Sequence, residues 1–141
     1  METIKLIIVD DHVIVREGIK IVLMNQGNIE IIGEAANSDE LFYCLKGLQP
    51  DIILMDIEMP KLNGIEITKI IISDCPGIKV IMLSVNDSIT YVNKALKAGA
   101  LGYLTKNTRN NELIKAINLV YHGKKYITKN IKGFIDTLQI A

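Results

Sequence analysis

Short, almost uninterrupted apolar runs alternate with longer segments of helical periodicity, and this alternation restricts the possible folds more than any other feature of the chain. The apolar runs span residues 4–9, 29–34, 51–55, 79–83 and 100–104. A strand that is apolar at successive positions is covered on both faces, as in a parallel sheet. After each run, apolar residues recur three or four positions apart, which indicates a helix packed on that sheet.

Five successive strand–helix units predict a doubly wound α/β fold, because right-handed crossovers place helices on both faces of the sheet. Five parallel strands match the flavodoxin-like order 2-1-3-4-5. Ser38 is expected to cap the second helix, and Gly99 and Gly123 to end the fourth and fifth. A chain of 141 residues, of which 49% are hydrophobic and 23% charged, suits one such domain.

The C-terminal residues follow a different pattern from the five units, which occupy residues 1–124. Residues 125–141 are expected to form a linker or C-terminal helix, since Ile131, Phe134, Ile135 and Leu138 recur at helical spacing. An apolar stripe of this kind needs a cover. It could fold back on the domain, pair with a second copy, or lead into a further domain.

Charge and cysteine usage exclude several classes of protein. The formal net charge is +0, so the chain has no overall attraction to nucleic acid or to a membrane surface. Cys44 and Cys75 form no CxxC pattern and are expected to be reduced thiols. The first apolar run is too short for a signal peptide or a membrane span, so we expect a cytoplasmic protein.

Polar residues follow the predicted strands where ligands bind in open α/β sheets, at the carboxyl edge. Asp10 and Asp11 follow the first strand, Asp56 the third, Ser84 the fourth and Lys106 the fifth. For this strand order the binding crevice lies between strands one and three. Clustered carboxylates repel one another unless a cation neutralises them, and an all-oxygen ligand set suits Mg²⁺.

A carboxylate beside a hard cation can attack phosphorus and become an aspartyl-phosphate. Catalysis of phosphoryl transfer consists mostly of positioning and neutralising charge, which the cation, Lys106 and the Ser84 hydroxyl would do. Taken singly, each of these residues is more often a turn, cap or surface residue. Their joint placement at one edge indicates phosphoryl chemistry.

The segments that hold these residues resemble the receiver domain of bacterial two-component response regulators. The resemblance covers about residues 3–124, and its matching segments are 9–12, 53–60, 63–66, 81–84 and 98–106. Residues 12–20, 32–35 and 102–104 further resemble the NarL/FixJ subclass, in which a LuxR-type helix-turn-helix domain that binds DNA follows the receiver.

The resemblance implies a role for each residue at this edge. Asp56 would be the phosphoacceptor. Asp10, Asp11, Asp56 and the backbone carbonyl of Glu58 would hold Mg²⁺. Lys106 would bind the phosphoryl group. 

Two further residues would form the switch. Ser84 would move to meet the phosphoryl group, and Tyr103 would swing inward after it. A tyrosine on a short edge strand is otherwise a packing residue with its hydroxyl in solvent.

The resemblance also implies partners. The phosphoryl donor would be a phosphohistidine of a sensor histidine kinase, and the phosphorylated chain would form a homodimer. DNA would be bound only through a C-terminal domain that this sequence does not contain, so the chain is either a piece of a transcription regulator or a stand-alone receiver. It would be a phosphoacceptor switch and no enzyme, apart from its own phosphorylation and dephosphorylation.

Three other functions remain as alternatives. A phosphatase of the haloacid dehalogenase type needs a second aspartate where Glu58 stands. A flavin or nucleotide module needs a phosphate-binding loop where Asp10 and Asp11 would repel phosphate. A receiver-like scaffold without phosphorylation would follow if Val85, larger than the usual residue there, blocked Asp56.

Asn107 also stands where many receivers have proline, which leaves the geometry of that loop open.

Overall fold

The predicted apolar runs form parallel strands in a computed structural model that describes residues 2–128. The strands are β1 (Ile4–Val9), β2 (Ile29–Ala35), β3 (Ile52–Asp56), β4 (Lys79–Ser84), β5 (Gly102–Thr105) and β6 (Tyr126–Ile127). The helices are α1 (Val13–Leu23), α2 (Ser38–Gly47), α3 (Gly64–Asp74), α4 (Ile89–Lys97) and α5 (Asn110–Tyr121). The strand order is β2-β1-β3-β4-β5-β6, so the flavodoxin-like arrangement is confirmed for the first five strands.

The sixth strand is a difference from the predicted five. Strand β6 pairs in parallel with β5 through Gly102 and Tyr126, and through Tyr103 and Ile127. The Thr128 amide then donates to the Tyr103 carbonyl oxygen at 2.9 Å. A strand of two residues has no periodicity that could reveal it, and the sequence predicts part of a linker at these positions instead. The amphipathic stripe predicted within residues 131–138 lies outside the described residues.

Alternation along the strands divides the core into one layer on each face of the sheet. In β1, Ile7 and Val9 face the layer covered by α2, α3 and α4. Leu6 and Ile8 face the opposite layer, which α1 and α5 cover. Because both faces are covered, β1 is apolar from Leu6 to Val9 without interruption. Neither cysteine forms a disulfide.

Helix ends follow local hydrogen bonding. Asn37, rather than Ser38, caps α2: its side chain accepts from the Glu40 amide at 2.9 Å. The extended backbone of Asn37 aims its side chain at the first turn, whereas Ser38 is already helical and buried. Gly99 and Gly123 follow α4 and α5 with φ of 109° and 83°, as predicted for residues that end helices.

The loop between β3 and α3 is held close to the sheet by a glycine. A Cβ atom on Gly64 would lie 2.2 Å from the Asp56 carbonyl oxygen and 2.9 Å from Met55 Cγ. The Gly64 amide also donates to the Ile57 carbonyl oxygen at 2.8 Å. This close approach fixes the backbone that carries Asp56.

Within residues 2–128, no helix is both long and apolar enough to cross a bilayer.

Gly64→Ala is expected to lower the free energy of unfolding by about 1–3 kcal/mol, because the added methyl group meets backbone that cannot move aside easily. The matched control is Gly18→Ala in the exposed middle of α1, where no described residue beyond the adjoining helix backbone lies within 4 Å of the new Cβ. That change should stabilise the protein by up to about 1 kcal/mol. Urea denaturation of both variants tests this, and a Gly64→Ala protein as stable as the parent would contradict it.

Candidate functional site

Two of the predicted carboxylates are buried side by side at the carboxyl edge. Val9 of β1 pairs with Met55 of β3, so the residues that follow them, Asp10 and Asp56, reach the same point. Their exposed fractions are 1% and 2%. Asp11 lies beside them but is exposed. The sheet register therefore brings the predicted acidic residues together.

Lys106 supplies the positive charge that faces both buried carboxylates. Its amide donates to the Ser84 carbonyl oxygen at 2.8 Å, which fixes the backbone at the end of β5 against β4. Its Nζ lies 2.9 Å from Asp10 Oδ2 and 3.3 Å from Asp56 Oδ1. The Glu58 amide also donates to Asp56 Oδ1, at 3.3 Å. The structure thus brings Lys106 to the place the sequence predicted.

The protonation of this cluster reflects burial and like charge. Burial, followed by the charge of Asp10, raises the pKa of Asp56 to about 6, although Lys106 and the Glu58 amide act in the opposite direction. Burial tends to lower the pKa of Lys106, but the adjoining carboxylates of Asp10 and Asp56 outweigh it and raise that pKa. At neutral pH one ammonium group therefore faces two carboxylates.

The remaining carboxylate oxygens fit a cation. Asp56 Oδ2 and Asp10 Oδ2 are buried and accept no hydrogen bond from the described residues, although Asp10 Oδ2 is close enough to Lys106 for an ion pair. Asp10, Asp11, His12 and Asp56 each offer a ligand atom, and these atoms lie within 4.8 Å of one another. A buried carboxylate oxygen without a partner is costly, and a divalent ion would relieve that cost.

His12 and Arg16 belong to this site, although sequence reasoning gave neither a role. His12 Nδ1 lies 2.9 Å from Asp10 Oδ1 and 3.1 Å from Asp11 Oδ1. Arg16 Nη1 donates to the Asp10 carbonyl oxygen at 2.5 Å, and its Nε donates to Glu34 Oε1 at 3.1 Å. Helical spacing is the sequence signal that could have linked the two residues, because Arg16 stands four residues after His12, about one turn into α1.

Ser84 and Tyr103 are joined through Asn86. The Asn86 amide donates to Ser84 Oγ at 3.0 Å, and the Tyr103 hydroxyl donates to the Asn86 carbonyl oxygen. Tyr103 is fully buried, and burial raises the pKa of its hydroxyl. Because β6 pairs with β5, Tyr103 does not stand on an edge strand. Its ring is buried in the layer covered by α2, α3 and α4.

The structure also places Glu58, Val85 and Asn107, whose roles the sequence leaves open. The side chain of Val85 points largely to solvent, with an exposed fraction of 69%. Glu58 is exposed as well. No peptide bond is cis within residues 2–128, so the bond between Lys106 and Asn107 is trans, and Asn107 Oδ1 accepts from the Thr105 hydroxyl.

Comparison with known proteins gives consistent matches along the chain. A family model described as response regulator receiver domain matches residues 6–118. The chain is 40% identical over 124 residues to the transcriptional regulatory protein DegU of Brevibacillus brevis, covering 88% of the chain and 52% of DegU. It is 37% identical over 128 residues to the response regulator GacA of Pseudomonas protegens, covering 91% of the chain and 60% of GacA.

A solved structure is similar over almost the whole chain. It is a two-component response regulator of the LuxR family from Aurantimonas, with a TM-score of 0.93 and 29% identity, covering 99% of this chain and 100% of that one. The chain spans 52% and 60% of the lengths of DegU and GacA, which is little more than half.

Asp56→Asn is expected to stabilise the metal-free protein at neutral pH and to lose that effect in acid. The folded-state pKa of Asp56, about 6, lies above the ordinary value of 3.8. The folded state therefore holds the proton more tightly, and the parent loses stability as pH rises between these values. The gain from the amide should be on the order of 2–3 kcal/mol above pH 6, shrinking towards zero near pH 4.

Urea denaturation in EDTA across this pH range measures the difference. Asp87→Asn, the same change at an exposed aspartate, is the control. A constant difference between Asp56→Asn and the parent would contradict the raised pKa.

Proposed function

Because this chain belongs to the family of response regulator receiver domains, we propose that it accepts a phosphoryl group on Asp56 and uses that event as a reversible switch. The observation that carries the proposal is the buried Asp56 carboxylate, one oxygen of which has no hydrogen-bond partner within residues 2–128 while Lys106 faces the other. The expected NarL/FixJ subclass is confirmed, since the similar Aurantimonas protein is of the LuxR family.

The transfer step is an attack by an Asp56 oxygen on the phosphorus of the donor. A bond forms between that oxygen and phosphorus, and the donor's bond to phosphorus breaks. The electron pair of the broken bond stays on the leaving group, which is the imidazole nitrogen of phosphohistidine or the acetate of acetyl phosphate. With a pKa of about 6, Asp56 is mostly ionised at neutral pH and needs no general base.

The residues around Asp56 position the group and neutralise its charge. Lys106 Nζ is within 3.3 Å of Asp56 Oδ1, so its ammonium can pair with an oxygen of the incoming phosphoryl group. Asp10, Asp11, Asp56 and the Glu58 carbonyl are the residues we expect to hold Mg²⁺. When bound, Mg²⁺ would offset the negative charge of the phosphoryl oxygens.

Ser84 and Tyr103 would report the phosphorylated state. The new group adds a charge of about −1.5 to −2 and acceptor oxygens next to Ser84. A Ser84 hydroxyl that donates to these oxygens would loosen its contact with the Asn86 amide, and Asn86 also holds the Tyr103 hydroxyl. The face formed by α4, β5 and α5 would change with them.

The partners follow from this role. We expect the donor to be the phosphohistidine of a sensor histidine kinase, and the exchange to occur in the cytoplasm. Phosphorylation would promote a homodimer, and the output would be control of transcription. DNA would be contacted only by a C-terminal domain that would follow residues 125–141.

Acetyl phosphate with Mg²⁺ should add one phosphoryl group to the purified chain, as measured by intact mass. EDTA should abolish the adduct because the carboxylates then lack their cation. Asp56→Asn should also abolish it, whereas Asp74→Asn, the same change at an exposed residue after which α3 ends, should leave it intact. An adduct that persists in Asp56→Asn, or its absence in the parent at every time point, would contradict the proposal.

Beryllofluoride with Mg²⁺, which mimics the phosphoryl group, should raise the molar mass in solution towards that of a dimer. The added charge should reorganise the face formed by α4, β5 and α5, where a second copy would dock. Light scattering over a concentration series measures the change, and Asp56→Asn should remain unchanged. Binding of beryllofluoride without a change in mass would exclude dimerisation as the response.

A further inference from the structure

The side chain of His12 lies beside Asp10 and Asp11, and the proposed switch gives it no role. We propose that His12 is an additional metal ligand, through which the site binds borderline divalent ions such as Zn²⁺, Ni²⁺ or Co²⁺ in a mode that Mg²⁺ does not share. The inference rests on the proposed function in one respect only: both require a cation at this edge of the sheet.

The backbone holds His12 in place. Its amide donates to Asp10 Oδ1 at 2.8 Å, and its extended conformation (φ −98°, ψ 111°) precedes the first turn of α1. From there Nδ1 lies between the two carboxylates, 2.9 Å from Asp10 Oδ1 and 3.1 Å from Asp11 Oδ1. A nitrogen and two carboxylate oxygens thus converge from three consecutive residues.

A second observation indicates that a cation belongs here. Asp56, with an exposed fraction of 2%, contributes the buried Oδ2 atom that has no hydrogen-bond partner within the described residues. The ligand atoms of Asp10, Asp11, His12 and Asp56 lie within 4.8 Å of one another. Ligands bonded to Zn²⁺ at about 2.0–2.2 Å lie at most about 4.4 Å apart, so shifts of a few tenths of an ångström would close the site.

His12 can make such a shift at little cost. The exposed fraction of its side chain is 61%, so the ring is free to adjust while the backbone amide stays bonded to Asp10. As a ligand the ring is neutral and keeps its proton on Nε2. The ion then replaces the hydrogen that Nδ1 shares with the carboxylates.

Ligand chemistry separates the two kinds of ion. Mg²⁺ demands near-octahedral oxygen ligands and retains several waters, so an imidazole adds little to its binding. Zn²⁺, Ni²⁺ and Co²⁺ accept imidazole readily and bind more tightly than Mg²⁺ to mixed nitrogen and oxygen sites. His12 should therefore raise the affinity for these ions alone, and they should compete with Mg²⁺ for Asp10, Asp11 and Asp56.

The test compares the chain's two histidines by the same substitution. Calorimetric titrations with Zn²⁺, Ni²⁺ and Mg²⁺ are made on the parent, His12→Gln and His122→Gln, and Co²⁺ is followed by its visible absorption. His12→Gln should weaken binding of Zn²⁺ and Ni²⁺ about tenfold or more and alter the Co²⁺ spectrum, while Mg²⁺ affinity changes less than about twofold. His122→Gln, at the exposed C-cap of α5, should change none of these.

Three outcomes would overturn the inference. Equal binding of Zn²⁺ by His12→Gln and the parent would assign the ion to the carboxylates alone or to Cys44 and Cys75. An equal loss of Mg²⁺ and Zn²⁺ affinity would mean that His12 acts by positioning the carboxylates. A parent that binds Zn²⁺ no more tightly than Mg²⁺ would show that the imidazole is no ligand.

The outcome is independent of phosphorylation. If acetyl phosphate gave no adduct while His12→Gln still lowered the affinity for Zn²⁺ but not for Mg²⁺, the proposed function would fail and this inference would stand. If the adduct formed with Mg²⁺ in both the parent and His12→Gln, and the two proteins bound Zn²⁺ equally, the proposed function would stand and this inference would fail.

Discussion

The attraction between one half-buried ammonium group and two buried carboxylates organises the carboxyl edge of this sheet. Lys106 faces Asp10 and Asp56 at ion-pair distances, but a single positive charge cannot neutralise both. Burial, followed by the charge of Asp10, raises the pKa of Asp56 to about 6, which reflects the cost of a buried charge without full compensation. The two apolar layers must offset this cost, since a buried charge without full compensation lowers the free energy of unfolding.

The same imbalance suits the site to the function proposed for it. A divalent ion would add the positive charge that the cluster lacks, and an incoming phosphoryl group would find both an ammonium and a nucleophile already in place. Gly64 and Arg16 hold the backbone on either side, one by close approach to the Asp56 carbonyl and the other by a hydrogen bond to the Asp10 carbonyl. The acidic pair is therefore held by backbone contacts as well as by charge.

Apolar patterns predicted the strands of the fold, whereas the residues of the site were predicted from the strand order. Continuous apolar runs revealed the first five strands because both faces of the sheet are covered, and the strand order then placed Asp10, Asp56, Ser84 and Lys106 at one edge. Strand β6 was missed because two residues carry no periodicity. The sequence predicts the cap of α2 at Ser38, one residue late, because Asn37 and Ser38 are both good caps and only backbone conformation distinguishes them.

The sequence by itself determined the parallel α/β architecture and the carboxylates, hydroxyl and ammonium available at its edge, because apolar periodicity is a local property of the chain and five strand–helix units follow a common strand order. Only the tertiary structure decided which atoms meet: among the described residues, one Asp56 oxygen has no hydrogen-bond partner, the His12 imidazole lies between two aspartates, and the Tyr103 ring is buried. Those contacts depend on side-chain direction and on pairing between distant residues, which no local pattern encodes.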